Sequence, residues 1–123
     1  MECKRALADA GGNFDRALQL IAQRGLAKAD TKANRATGAG LLEAHIHNGR
    51  VGVLLELRCE TDFVAHAEPV RALSKELVLQ VAAMNPADPT ALLAQPYIRD
   101  ESITVHELIK RTVARVGENI RVE

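Results

Sequence analysis

Val51, Val53, Leu55, Leu57 and Cys59 alternate with Gly52, Leu54, Glu56 and Arg58, which is the period of a strand with one face buried. Just beyond, from Thr61, the apolar rhythm lengthens to that of a helix. Thr61 is placed to cap that helix with its hydroxyl, and Asp62 puts a carboxylate in the first turn, at the positive end of the helix dipole. Local chemistry therefore accounts for both residues. It does not account for Phe63. The chain has only two Phe, one Tyr and no Trp, and burying such a ring contributes roughly 1.5–3 kcal/mol. On the seven residues Cys59-Glu60-Thr61-Asp62-Phe63-Val64-Ala65 alone, the ordinary expectation is a core plug folded back under the corner. The other reading is a hydrophobic knob held out to a partner.

The same patterning organises the rest of the chain. Cys3, Ala6, Leu7 and Ala10 form one helical stripe that stops at Gly11-Gly12; Asn13 caps a second, carrying Phe14, Ala17, Leu18, Ile21 and Ala22 and expected to end at Gly25. Two helices this short cannot bury both stripes by themselves. Residues 26–40, small and charged, read as a solvated and partly helical linker. Asn48-Gly49 signals a type I′ hairpin turn. A two-residue loop there pairs His47 with Arg50, Ile46 with Val51, Ala44 with Val53 and Leu42 with Leu55, leaving Leu41 and Leu54 on the opposite, mostly polar face. Beyond the corner, Pro69 suits a first helical position, and Val70, Leu73, Leu77 and Val81 carry a helix to Met84, stopped by Asn85-Pro86. Residues 86–96 form a short connection anchored by Leu92 and Leu93. Thr104-Val105-His106-Glu107 is a capping box opening a helix that Gly117 ends. Gly117-Glu118-Asn119 then turns the chain into a last strand through Ile120 and Val122. The expected fold class is α+β: a small helical module (1–25), the linker (26–40), and a core (41–123) with a three-stranded antiparallel sheet packed against helices.

Composition narrows the chemistry. Sixteen basic residues balance sixteen acidic ones, so no single-sign field recruits nucleic acid or an anionic membrane. Cys3 and Cys59 form no CxxC motif and no disulfide framework, which fits reduced thiols in a reducing compartment. There is no run long enough to span a bilayer and no leader pattern, so a cytoplasmic protein is expected. Phosphate loops, nucleophile elbows and zinc-protease motifs are absent from the sequence. His45 and His47 share a strand face, and Cys59 and His66 lie near the corner, which suggests a metal site. On the expected register, however, Cys59 points to the face opposite His45, and two strand histidines without a third ligand are ordinarily solvent-facing. Neither a metal, a cofactor nor covalent catalysis is expected.

Taken together, Met1-Glu2-Cys3-Lys4-Arg5-Ala6-Leu7, the strand running into Cys59-Glu60-Thr61-Asp62-Phe63-Val64-Ala65, and Val116-Gly117-Glu118-Asn119-Ile120 resemble elongation factor Ts, in that family's order. The resemblance reverses the expectation for Phe63. It implies a guanine nucleotide exchange factor for elongation factor Tu, in which Thr61, Asp62, Phe63 and Val64 form a wedge entering the partner's GTPase domain near the bound Mg²⁺. It also implies a ubiquitin-associated-like module at residues 1–25, with Met1, Lys4 and Lys32 at positions of partner contact. Gly117, Glu118 and Asn119 are expected to shape a turn rather than touch nucleotide. The family's module begins with a further helix before Met1, its connection at 86–96 is longer, and relatives continue past Glu123. Because single-repeat members pair, a homodimer through the Leu41 and Leu54 face or the last strand is expected. The competing classes are a helical adaptor that binds a protein partner through residues 1–25 without exchange activity, and a small metal-dependent enzyme using His45, His47 and His66.

Overall fold

The computed structural model describes residues 2–123, and the strand at its centre is the one read from Val51 to Cys59. Strand β1 (Ala39–His47) and strand β2 (Val51–Cys59) form the antiparallel hairpin. The last strand, β5 (Ile120–Val122), pairs on the other side of β2, with Cys59 opposite Ile120 and Leu57 opposite Val122. The sheet order is therefore β1-β2-β5. Helices cover one face. Leu55, Leu57, Cys59 and Ile120 meet Val70, Leu73 and Leu77 of helix α4 (Glu68–Met84) and Val105, Ile109 and Val113 of helix α6 (Val105–Val116) in a single core. This is the expected α+β layer.

The hairpin register differs from the sequence expectation by one residue. Asn48 and Gly49 take the positive φ angles of a primed turn, 52° and 66°, and Arg50 N–H donates to the His47 carbonyl at 3.0 Å. Arg50 is then left over, so His47 pairs with Val51, His45 with Val53, Glu43 with Leu55 and Leu41 with Leu57. Because side chains alternate faces, the shift turns all of β1 over. Leu41, Glu43 and His45 now lie toward the helices, and Ser74 donates to Glu43 at 3.3 Å. Leu42 and Ile46 join Leu54 on the open face, each about 70% exposed. Apolar content alone assigned β1 wrongly, because Leu41 and Leu42 are equivalent by that measure and the helix-facing side accepts a hydrogen-bonded carboxylate.

Helix α1 (Glu2–Asp9) ends at Gly11 and Gly12, both at positive φ, as expected. Helix α2 does not stop at Gly25. It runs from Phe14 to Lys32, capped by the Asn13 side chain, which accepts from Arg16 N–H at 3.1 Å. Gly25 is where α2 crosses α6: a Cβ there would lie 3.2 Å from that of Ala114. The glycine is a close-approach point rather than a stop signal. Residues 26–32, read as linker, are consequently helical, and Ala29 is buried in the main core. The stripe on α1 and α2 is only partly covered: Ala6 and Ala17 are buried, while Leu7, Phe14 and Leu18 remain exposed.

Pro69 sits at the second position of α4, and Asn85 ends the helix in the left-handed region. Helix α5 (Pro89–Ala94) is capped by Asp88 and anchored by the buried Leu92. A small second sheet follows, in which β3 (Pro96–Tyr97) pairs with β4 (Asp100–Thr104). Buried Gln80 fastens it to α4, donating to the Gln95 side chain and the Pro96 carbonyl and accepting from Ile98 N–H. Tyr97 donates to Glu76 at 2.8 Å. Burial and that carboxylate push the phenol up to about 12.

Candidate functional site

Between β2 and α4 the chain makes a corner through a single helical turn, α3 (Asp62–Ala65). Thr61 is its N-cap, with extended backbone and a hydroxyl that accepts from Val64 N–H at 3.3 Å. Four residues make one turn, and nothing intrinsic holds so short a helix; its neighbours do. Val64 and Ala65 face inward and are buried in the core, at 8% and 0% exposure. Phe63, between them and Asp62, faces out with 86% of its surface exposed. The plug reading is thereby excluded. Val64, grouped with the wedge by resemblance, is placed differently: its side chain lies under the corner and anchors it.

The corner is fastened from several directions. Cys59 Sγ donates to the Thr61 carbonyl at 3.2 Å. Burial pushes this thiol above its ordinary range, and the nearby Glu118 carboxylate acts in the same direction. Glu118 accepts twice from Thr61, from the backbone N–H at 3.0 Å and from the hydroxyl at 2.8 Å. His66 Nδ1 lies 2.9 Å from the Asp62 carbonyl and 3.8 Å from its carboxylate. Glu60 pairs with Arg35 at 3.7 Å. Asp62 is exposed beside Phe63, so the tip presents an aromatic ring and a carboxylate together.

The turn expected at Gly117, Glu118 and Asn119 is present and does more than reverse the chain. Gly117 has φ 79° and its N–H donates to Val113, a C-cap that a side chain at this residue would strain. Buried Asn119 donates to the carbonyls of Ala33 and Arg35, at 3.2 and 2.8 Å, just past the end of α2. Neither the Glu118–Thr61 nor the Asn119–Ala33 contact was foreseeable, because the partners are 57 and 86 residues apart in the chain. Of the contacts expected near the N-terminus, Lys4 is exposed on α1, and Met1 lies outside the described residues. Lys32, at the far end of α2, has its Nζ within 3.9 Å of where a Gly117 side chain would begin. With 19 residues, α2 is roughly 28 Å long, which sets Lys32 well away from the end of α2 that follows α1.

The turned-over β1 also revises the geometry of the histidines. Cys59 and His45 share the helix-facing side, but they stand six residues apart along the sheet register, roughly 20 Å. His45 and His47 are neighbours, with ring centroids 5.8 Å apart. No group of three metal-ligating side chains occurs among the described residues, and no described helix is long and apolar enough to cross a membrane.

The fold sets the class first: an α+β layer, entered through a helical pair, with an exposed aromatic at a strand-to-helix corner. A family profile described as Elongation factor TS matches residues 60–123, which begin at that corner and run through β5. The chain is 37% identical to the chloroplastic elongation factor Ts of Cyanidioschyzon merolae, over all of this chain and 82% of that protein. It is 38% identical to elongation factor Ts of a Cyanothece species and 42% identical to that of a Nostoc species. Those matches take in 99% of this chain but 64% and 39% of the longer relatives. The chain belongs to the elongation factor Ts family, whose members are translation elongation factors. Its alignment with the chloroplastic relative spans 172 residues, more than the chain contains, as an insert present there and lacking here would produce.

Proposed function

We propose that this protein promotes release of GDP from elongation factor Tu by inserting Phe63, with Asp62 beside it, near the Mg²⁺ site of the partner's GTPase domain. The observation that carries this reading is the ring itself. One of three aromatics in the chain stands 86% exposed on a corner whose other apolar residues are buried. Leaving it in water forgoes roughly 1.5–3 kcal/mol, which a partner's interior can recover. By linkage, the protein must then prefer nucleotide-free elongation factor Tu over the GDP form by the same factor by which it weakens GDP. A thousandfold loosening corresponds to about 4 kcal/mol. Affinities measured for the two forms of elongation factor Tu should differ by that factor; equal affinities would overturn the proposal. No covalent chemistry and no cofactor enter this reading, and it places the protein in the cytoplasm.

The exposed Leu7, Phe14 and Leu18 give a second surface on the helical pair, to which Lys4 belongs. They are also what an adaptor acting through residues 1–25 would use; such a protein would bind without accelerating GDP release. The open sheet face supports a homodimer, through Leu42, Ile46 and Leu54 rather than the Leu41 and Leu54 pairing expected from sequence. Sedimentation should show a dimer that Leu54→Asp converts to a monomer. A wild-type monomer at every concentration would contradict this pairing.

A further inference from the structure

We infer that Glu118 is a positioning residue for Phe63, its carboxylate fixing the direction in which the ring leaves the corner. The inference rests on the reading of Phe63 as the inserted group. Thr61 has one hydroxyl proton and directs it to Glu118, which leaves an oxygen lone pair for Val64 N–H. The second Glu118 oxygen takes the Thr61 backbone N–H. With both bonds made, neither the hydroxyl nor the peptide plane entering α3 is free to rotate. Without them, the corner keeps the buried Val64 and Ala65 and the local bonds from Cys59, Val64 and His66, but it loses the tie that fixes Thr61 to the turn after α6.

Glu118 can do this because it is itself held. Gly117 closes α6 with its N–H on Val113, and the next residue, Asn119, is buried with its amide on Ala33 and Arg35. The carboxylate thus reaches the corner on a short stem from a fixed backbone. Removing it tilts the corner without emptying the core, because Glu118 is only half-buried and its loss leaves no cavity among apolar side chains.

Release of fluorescent GDP from elongation factor Tu, measured with the full chain at saturating concentration, tests this. Glu118→Ala should lower the maximal release rate roughly tenfold, because a displacement of the order of an ångström at a positioned group is costly. The half-saturating concentration should change little. Glu118→Gln keeps an acceptor for the Thr61 N–H and should recover most of the rate. Amide exchange in Glu118→Ala should quicken at Thr61 and Val64 but not at Leu55 and Leu57 of β2. A wild-type maximal rate in Glu118→Ala, with Phe63→Ala impaired, overturns the inference and leaves the wedge standing. A rate loss with faster amide exchange along all of β2 also overturns it, by assigning Glu118 to general stability. If Phe63→Ala itself releases GDP normally, the wedge reading fails, and the positioning role falls with it.

Discussion

Phe63→Ala is expected to cut the maximal rate of GDP release by roughly thirtyfold to a thousandfold, with the melting temperature changed by no more than a few degrees. The two halves of that expectation come from one number. An 86% exposed ring contributes little to its own subunit, and substitutions at exposed positions ordinarily stay within about 0.5 kcal/mol. Buried in a partner, an aromatic anchor is typically worth 2–4 kcal/mol on truncation, and each 1.4 kcal/mol is a factor of ten. Phe63→Leu keeps apolar bulk without the flat ring and should fall between. Stopped-flow release and thermal unfolding on the same preparations check both halves. A large loss of stability together with the loss of rate would place the ring's main role inside this chain.

Leu57→Ala is expected to cost 2–5 kcal/mol, the range for truncating a fully buried leucine. Leu57 is 1% exposed on the central strand β2, with Leu41 on one side and Val122 on the other. A domain of this size has a total stability of about 5–15 kcal/mol, so the variant should melt some 10–20 °C lower. The same chemistry on β1 tests the register. Leu41→Ala should be measurably destabilising, and Leu42→Ala, exposed on the open face, should be within about 0.5 kcal/mol of wild type. The reverse order would restore the two-residue loop with Leu42 in the core.

Most of the fold was legible because its signals are local. Caps at Asn13, Thr61 and Thr104, stops at Gly11-Gly12, Asn85 and Gly117, and the alternation along β2 all act within a few residues and all appear in the structure. What misled was local evidence for a choice settled at long range. Gly25 carries the residue type of a stop, yet its backbone serves a helix crossing at Ala114. The turn at Asn48-Gly49 was read correctly, but whether Arg50 pairs or is left over depends on which side of β1 the helices cover. The site follows the same division. Thr61 and Asp62 were explicable as a cap and a first-turn acid, whereas the bearing of Phe63 was not, since either bearing satisfies the same seven residues. The Glu118 clamp needed the tertiary fold to be seen at all.

The most direct measurement is the rate of fluorescent GDP release from elongation factor Tu as this protein is titrated in. A partner-driven displacement predicts a release rate that climbs with concentration and saturates well above the spontaneous rate. A rate that stays at the spontaneous value while the two proteins demonstrably bind would contradict the account and leave the adaptor in its place.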